Sequence, residues 1–228
     1  MSLTRRILPL VAAVTLGACG RVGSEDVATS EMTATIRVTS DPSAVTTTAS
    51  VLLEAEGEPV LLVASELLTA TNELGEQVVI GPEITGDPTW YGVFDYAADG
   101  ETITVALDRK VDKGAPLTEV VVPTTFSLTV PEGEVSRAND LVISWQPATT
   151  EPLVLTFEAA CLEQPVVIDA LDPSQGQEVI PAGELVANGA CEIDLTVSRF
   201  ADALLDPGFG AGTAVGEVVR TAVLATVE

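Results

Sequence analysis

The density of β-branched residues constrains this chain most. Valine occurs 31 times and threonine 26 times in 228 residues. Both carry two heavy atoms on Cβ, which costs rotamer freedom in a helix and packs well on a pleated sheet. Apolar residues recur at every second position, as a half-buried strand requires. Ala34, Ile36 and Val38 alternate with polar neighbours, as do Ile103, Val105 and Leu107. Phe126, Leu128 and Val130 share a face, and Leu141, Ile143 and Trp145 alternate with Val142, Ser144 and Gln146. Leu153, Leu155, Phe157, Ala159 and Cys161 share one parity; so do Cys191, Ile193, Leu195 and Val197. Turn signals such as Asp41-Pro42, Gly81-Pro82, Asp99-Gly100, Asp172-Pro173 and Asp206-Pro207 fall between these runs. The pattern predicts an all-β fold of antiparallel sandwiches. Residues 58–72 are a weak helical candidate, in which Pro59 suits a turn or bulge as well as a helix start.

A strand expected to end at Val122 meets Pro123, and another begins a few residues later. This divides the chain into sandwiches at 32–122 and 123–228, each of immunoglobulin-like size. One large sandwich is the alternative.

Charge removes several functions. Ten Lys and Arg face 34 Asp and Glu, a formal charge of −24, and there is no histidine. Phosphate backbones would repel such a chain, so no nucleic-acid partner is expected. Without imidazole, most triads and zinc hydrolases are excluded. At 46% hydrophobic residues, disorder is a poor fit. There is no P-loop, dinucleotide fingerprint or Gly-x-Ser-x-Gly elbow, so no cofactor and no enzyme are expected. A hydrolase using paired carboxylates is the remaining catalytic alternative. Lys110 and Lys113 are the only lysines, both in a charged, turn-like stretch. This scarcity is consistent with salty surroundings that screen the acids.

Arg5 and Arg6 precede an uncharged apolar run, residues 7–18. Twelve helical residues reach only about 18 Å, short of a ~30 Å hydrocarbon core, so the run reads as a signal peptide. Leu16-Gly17-Ala18-Cys19 resembles the lipobox of bacterial lipoproteins. That resemblance implies cleavage after residue 18, a diacylglyceryl group on Cys19 and anchoring to the membrane by lipid. Gly20 at the next position implies sorting to the outer membrane. A general secretory signal that leaves Cys19 as a free thiol is the alternative. Residues 19–31, small and polar, read as a flexible lipidated tether.

In the second half, Thr124-Thr125-Phe126-Ser127-Leu128, residues 135–140, Ile143-Ser144-Trp145 and Ile180-Pro181-Ala182-Gly183 follow one another in a recognisable order. Cys191, Arg199, Asp206-Pro207-Gly208-Phe209-Gly210, Gly216 and Arg220 continue it. The order resembles that of unannotated secreted bacterial lipoproteins with immunoglobulin-like sandwiches. It implies an architecture and no activity.

Candidate sites follow from these positions. Cys161 and Cys191 lie on inward parities in an exported, oxidising setting, so they are expected to form a disulfide. Closing about 30 residues would stabilise by roughly 3–4 kcal/mol in the chain-entropy model. Trp90, Phe94 and Tyr96 form the expected aromatic core of the first half, and Tyr91 points the other way as a candidate ligand platform. Trp145 reads as a buried sandwich tryptophan. Arg137 near Asp140 and Arg199 near Asp206 are expected as structural ion pairs. Oxygen-rich loops at Asp95–Glu101 and Glu132–Asp140 raise calcium without the spacing that wraps it, so no metal site is assigned. The functional expectation is a non-catalytic cell-envelope lipoprotein with a structural, adhesive or assembly role, its protein or glycan partner unspecified. A glycan- or calcium-binding module is the alternative.

Overall fold

A computed structural model describes residues 21–82 and 88–227; Cys19 and the signal-like segment lie outside the described residues. Before Pro123 run β1 (Val22–Gly23), β2 (Thr33–Asp41), β3 (Thr46–Ala55), β4 (Glu58–Leu61), β5 (Leu67–Thr71), β6 (Gln77–Pro82), β7 (Trp90–Phe94), β8 (Thr102–Asp108) and β9 (Ala115–Val121). After it come β10 (Ser127–Thr129), β11 (Val135–Ser136), β12 (Leu141–Gln146), β13 (Leu153–Glu158), β14 (Val166–Ile168), β15 (Gln177–Ile180), β16 (Cys191–Asp202) and β17 (Ala211–Val227). The only helical pieces among the described residues are three-residue 3-10 turns.

Two sandwiches result. In the first, β17, β2, β3 and β7 form one layer, and β5, β8 and β9 form the other. Strand β6 passes between the layers, pairing with β5 through residues 77–80 and with β7 at Gly81 and Pro82. Ile36, Val38, Val51 and Leu53 face Leu68, Ile103, Val105 and Val120 across the core. In the second, β14, β13, β16 and β17 oppose the three-stranded sheet β10-β12-β15. Leu155, Phe157, Leu195 and Val197 there pack with Ile143, Trp145 and Ile180, all buried. Strict alternation of burial along β2, β3 and β12 reproduces the parity of the sequence.

Two expectations need correction. Residues 58–72 are not helical: β4 and β5 occupy the segment, with Pro59 opposite Glu54 of β3. Val60, Leu68 and Ala70 are buried, and a tight hairpin to β3 with long-range pairing to β8 overrides the local helical pattern. Nor are residues 21–31 a loose tether. β1 pairs with β4, and the turns at Ser24–Asp26 and Thr29–Glu31 lie folded against the first sandwich.

Strand β17 joins the two halves. It is 17 residues long, about 56 Å at 3.3 Å per residue. Residues 211–218 pair in parallel with β2 of the first sandwich. Residues 215–226 pair antiparallel with β16 of the second. One sheet therefore runs without interruption through both sandwiches.

The pairing also defines the ends of the first sandwich. Thr102 opposite Val121 lies by the junction, and Leu107 opposite Ala115 lies at the far end. Thr33, Glu54 and Ala211 are level with that far end, opposite the side from which β17 enters the second sandwich.

Candidate functional site

The junction gathers the most ordered polar chemistry. Residues 122–126 cross from β9 to β10 and are gripped by two arginines of the β16–β17 hairpin. Arg199 is fully buried; it donates from Nη1 to the Thr124 carbonyl (3.1 Å) and from Nη2 to the Pro147 carbonyl (2.8 Å). Its guanidinium lies 4.6 Å from the centroid of the Phe126 ring. Nε makes no hydrogen bond, and Glu151 approaches it at 3.8 Å. Burial lowers the Arg199 pKa, a shift that the Glu151 carboxylate opposes. Arg220 donates from Nε to the Phe126 carbonyl (2.8 Å) and from Nη2 to Thr125 Oγ1 (2.9 Å). Asp99 accepts from the Thr125 amide at 2.7 Å.

The crossing is close. A Cβ on Gly216 would collide with the Val121 carbonyl oxygen, so the linker passes over β17 only where the side chain is a hydrogen. Alternation breaks there: Gly216, Glu217 and Val218 are all buried, because β17 is enclosed on both faces. Glu217 is held by Arg37 (2.8 Å) and Thr39 Oγ1 (3.1 Å).

The turn after β16 fastens the first sandwich. Asp206 accepts from the amides of Leu117 (2.7 Å) and Gly208 (2.6 Å), and its own amide donates to Thr118 Oγ1 (3.1 Å). Phe209 is buried beyond it. The structure thus pairs neither Arg199 with Asp206 nor Arg137 with Asp140. Arg137 donates instead to Thr226 Oγ1 (2.7 Å) and to the Gly189 carbonyl (2.8 Å). Asp140 accepts from the Ala182 amide at 2.9 Å. Loop and strand-end backbone supplies the partners that sequence proximity assigned to carboxylates.

A second polar cluster was not legible in the sequence. Arg109, inside the charged turn after β8, is buried. It donates from Nε to Glu66 Oε1 (2.7 Å), from Nη1 to Val27 O (3.0 Å) and Thr29 Oγ1 (2.9 Å), and from Nη2 to Ser24 O. Asp112 accepts from the Thr29 amide at 2.6 Å, and Thr29 Oγ1 donates to Lys113 O at the same distance. The Thr29 amide, then the Lys113 amide, holds the Asp112 carboxyl below its ordinary pKa. The available signal was Glu66, the lone acid in the otherwise uncharged run 59–72 that precedes Glu73.

Cys161 and Cys191 are joined by a disulfide, with Cα atoms 6.4 Å apart. Trp145 is buried and donates from Nε1 to the Pro173 carbonyl at 3.1 Å. Phe94 is buried and meets Tyr96 edge-on at 5.7 Å, and Trp90 packs partly buried on the same core. Burial, above all, raises the Tyr96 pKa, while a hydrogen bond from Asn72 lowers it. Tyr91 is half-buried on the outward parity of β7, between Ser50 and Gly81. Among the described residues no group of three or more His, Cys, Asp or Glu is arranged to hold a metal. The pocket bordered by Val135, Arg137, Leu141, Ile180, Leu185 and Thr226 has about 10 Å³ of free volume, room for one water.

Pairing, layers and junction define a tandem β-sandwich protein. No protein-family model matches the chain, and no curated protein does. Among solved structures, it aligns with a two-domain fibronectin type III segment of chicken tenascin at 16% identity and TM-score 0.30, covering 84% of this chain and 97% of that one. The chicken CNTN1 FN1–FN3 domains align at 12% identity and TM-score 0.26, covering 92% and 68%. The Yersinia pseudotuberculosis adhesin InvE aligns at 9% identity and TM-score 0.24, covering 85% and 58%. The architecture rests on the strand pairing itself.

Proposed function

We propose that this chain is an exported, lipid-anchored component of the bacterial cell envelope with a non-catalytic structural, adhesive or assembly role. The observation that supports the mechanical part of this reading is the continuous sheet through β17. Bending one sandwich against the other would break ladder hydrogen bonds and strip Arg199 and Arg220 from the linker they hold. The arginines at the junction are engaged with backbone carbonyls and hydroxyls, which suits a stiff spacer better than a ligand site. The lipobox-like Leu16-Gly17-Ala18-Cys19 supports anchoring, and the outer membrane is the proposed location.

Intact mass spectrometry of the protein recovered from membranes of producing cells tests the anchor. The expected species begins at Cys19 and carries added acyl mass, and a Cys19→Ser variant loses both the lipid and membrane association. A full-length, unmodified chain in the cytosol would overturn the reading.

A further inference from the structure

Outside the signal-like segment the chain has eight cationic residues: Arg21, Arg37, Arg109, Lys110, Lys113, Arg137, Arg199 and Arg220. Five are engaged internally. Arg37 pairs with Glu217, Arg109 with Glu66, and Arg137, Arg199 and Arg220 hold the carbonyls and hydroxyls described above. The remaining three, Arg21, Lys110 and Lys113, are exposed and lie at one end of the molecule. Lys110 and Lys113 occupy the β8–β9 turn, at the end of the first sandwich away from the second. Between them Val111 is 60% exposed. Leu67, opposite Asp108 at the base of the same turn, is 43% exposed. The segment that follows Arg21 is clamped to this turn by Arg109, Asp112 and Lys113. Only three residue steps separate Cys19 from Val22, a reach of about 10 Å when extended.

We infer that the β8–β9 turn is a membrane-contact tip, with Val111 entering the interface between headgroup and acyl chain and Lys110, Lys113 and Arg21 meeting lipid phosphates. The inference rests on the anchoring of Cys19 proposed above. Within the turn Asp108 and Asp112 oppose the lysines, and Asp112 is already engaged by the Thr29 amide. Exposed Glu25, Asp26 and Glu31, with Glu54, Glu56 and Glu58 of the β3–β4 hairpin, stand at the same end, so deep insertion is disfavoured and contact is confined to the β8–β9 turn at phosphate level. Residues 24–29, clamped to the tip, fix the first sandwich upright and direct the second away from the bilayer.

The test uses the full lipidated protein in vesicles of phosphatidylethanolamine with a minority of phosphatidylglycerol. A single new cysteine, Val111→Cys, carries an environment-sensitive fluorophore; Val223→Cys, exposed in the second sandwich, is the control. Flotation reports the anchor, and quenching by nitroxide-labelled lipid reports contact. The expected result is co-flotation with quenching at the Val111 site about threefold above the Val223 site. A Lys110→Glu, Lys113→Glu variant is expected to float equally and lose that difference. Co-flotation with equal quenching at both sites would overturn the tip and leave the anchor standing. Absence of co-flotation would overturn the anchor, and the tip with it.

Discussion

At the scale of single residues, the molecule depends on a few polar side chains that fold long-range geometry into place. Arg199 makes three contacts with one guanidinium: the carbonyls of Thr124 and Pro147 and the Phe126 ring. A lysine has neither the plane nor the second donor direction. Arg199→Lys is therefore expected to destabilise by about 3 kcal/mol in urea unfolding, because the carbonyls of Thr124 and Pro147 lose their partners where water does not replace them. Recovery of wild-type stability by lysine would show that charge alone suffices. Gly216→Ala is expected to cost about as much, since its methyl meets the Val121 carbonyl and the linker must lift. Asp112 carries a pH signature. Its carboxyl is depressed below the unfolded value of about 3.9, so its stabilisation is complete above that value and is lost as pH falls through the folded one. Hydrogen exchange at the Thr29 amide should report local opening as pH falls below about 3.9, after correction for intrinsic rates. Asp112→Ala should be open above that value as well; protection unchanged by acid in the wild type would refute the clamp.

At the scale of elements, β17 is the piece that both sandwiches share. A chain cut at the Val122-Pro123 boundary leaves β2 paired with β3 alone, an open edge where β17 lay, and removes the Asp206 turn that caps Leu117. Residues 21–122 expressed alone are expected to remain unfolded, with collapsed amide dispersion. A chain ending at 210 should fail similarly, because β16 and β2 each lose one of their two neighbours and the two halves lose the strand that joins them. A well-dispersed spectrum from 21–122 would show the first sandwich to be self-sufficient. What sequence pattern revealed follows from range. The strands at 33–41, 102–108, 141–146 and 153–158 were legible because alternation is local and one residue of slip would expose the core. The parallel β2–β17 pair was not, since it joins residues about 180 apart and strand periodicity says nothing about partners. The same limit hid the Arg109 cluster: a charged turn reads as solvated until residues some 80 positions earlier close over it. The disulfide was legible, because inward parity at Cys161 and Cys191 and the expectation of export each pointed to it independently.

At the scale of the whole molecule, the question is whether two sandwiches with one sheet behave as two domains. Tandem modules joined by a linker alone unfold independently, since contacts between them are few. Here the buried cluster runs on through Val122, Phe126 and Val218, so melting either sandwich exposes the junction and removes one side of β17. The two tryptophans separate these cases. Trp90 packs on the first core, and Trp145 is buried in the second. Trp145→Phe leaves fluorescence from the first sandwich and Trp90→Phe leaves it from the second, with circular dichroism following the whole. Coupling through β17 is expected to make the transitions coincide within each variant, with the single slope against denaturant that one large cooperative unit gives. Reduction of the Cys161–Cys191 bond strains that coupling most, because it loosens the second sandwich alone by roughly 3 kcal/mol. If the Trp90 transition then stays with the Trp145 transition at its lowered midpoint, the shared strand carries the loss across the junction. Two midpoints under reduction would mean that the sheet is continuous in geometry but not in free energy, and a stiff spacer would lose its physical basis.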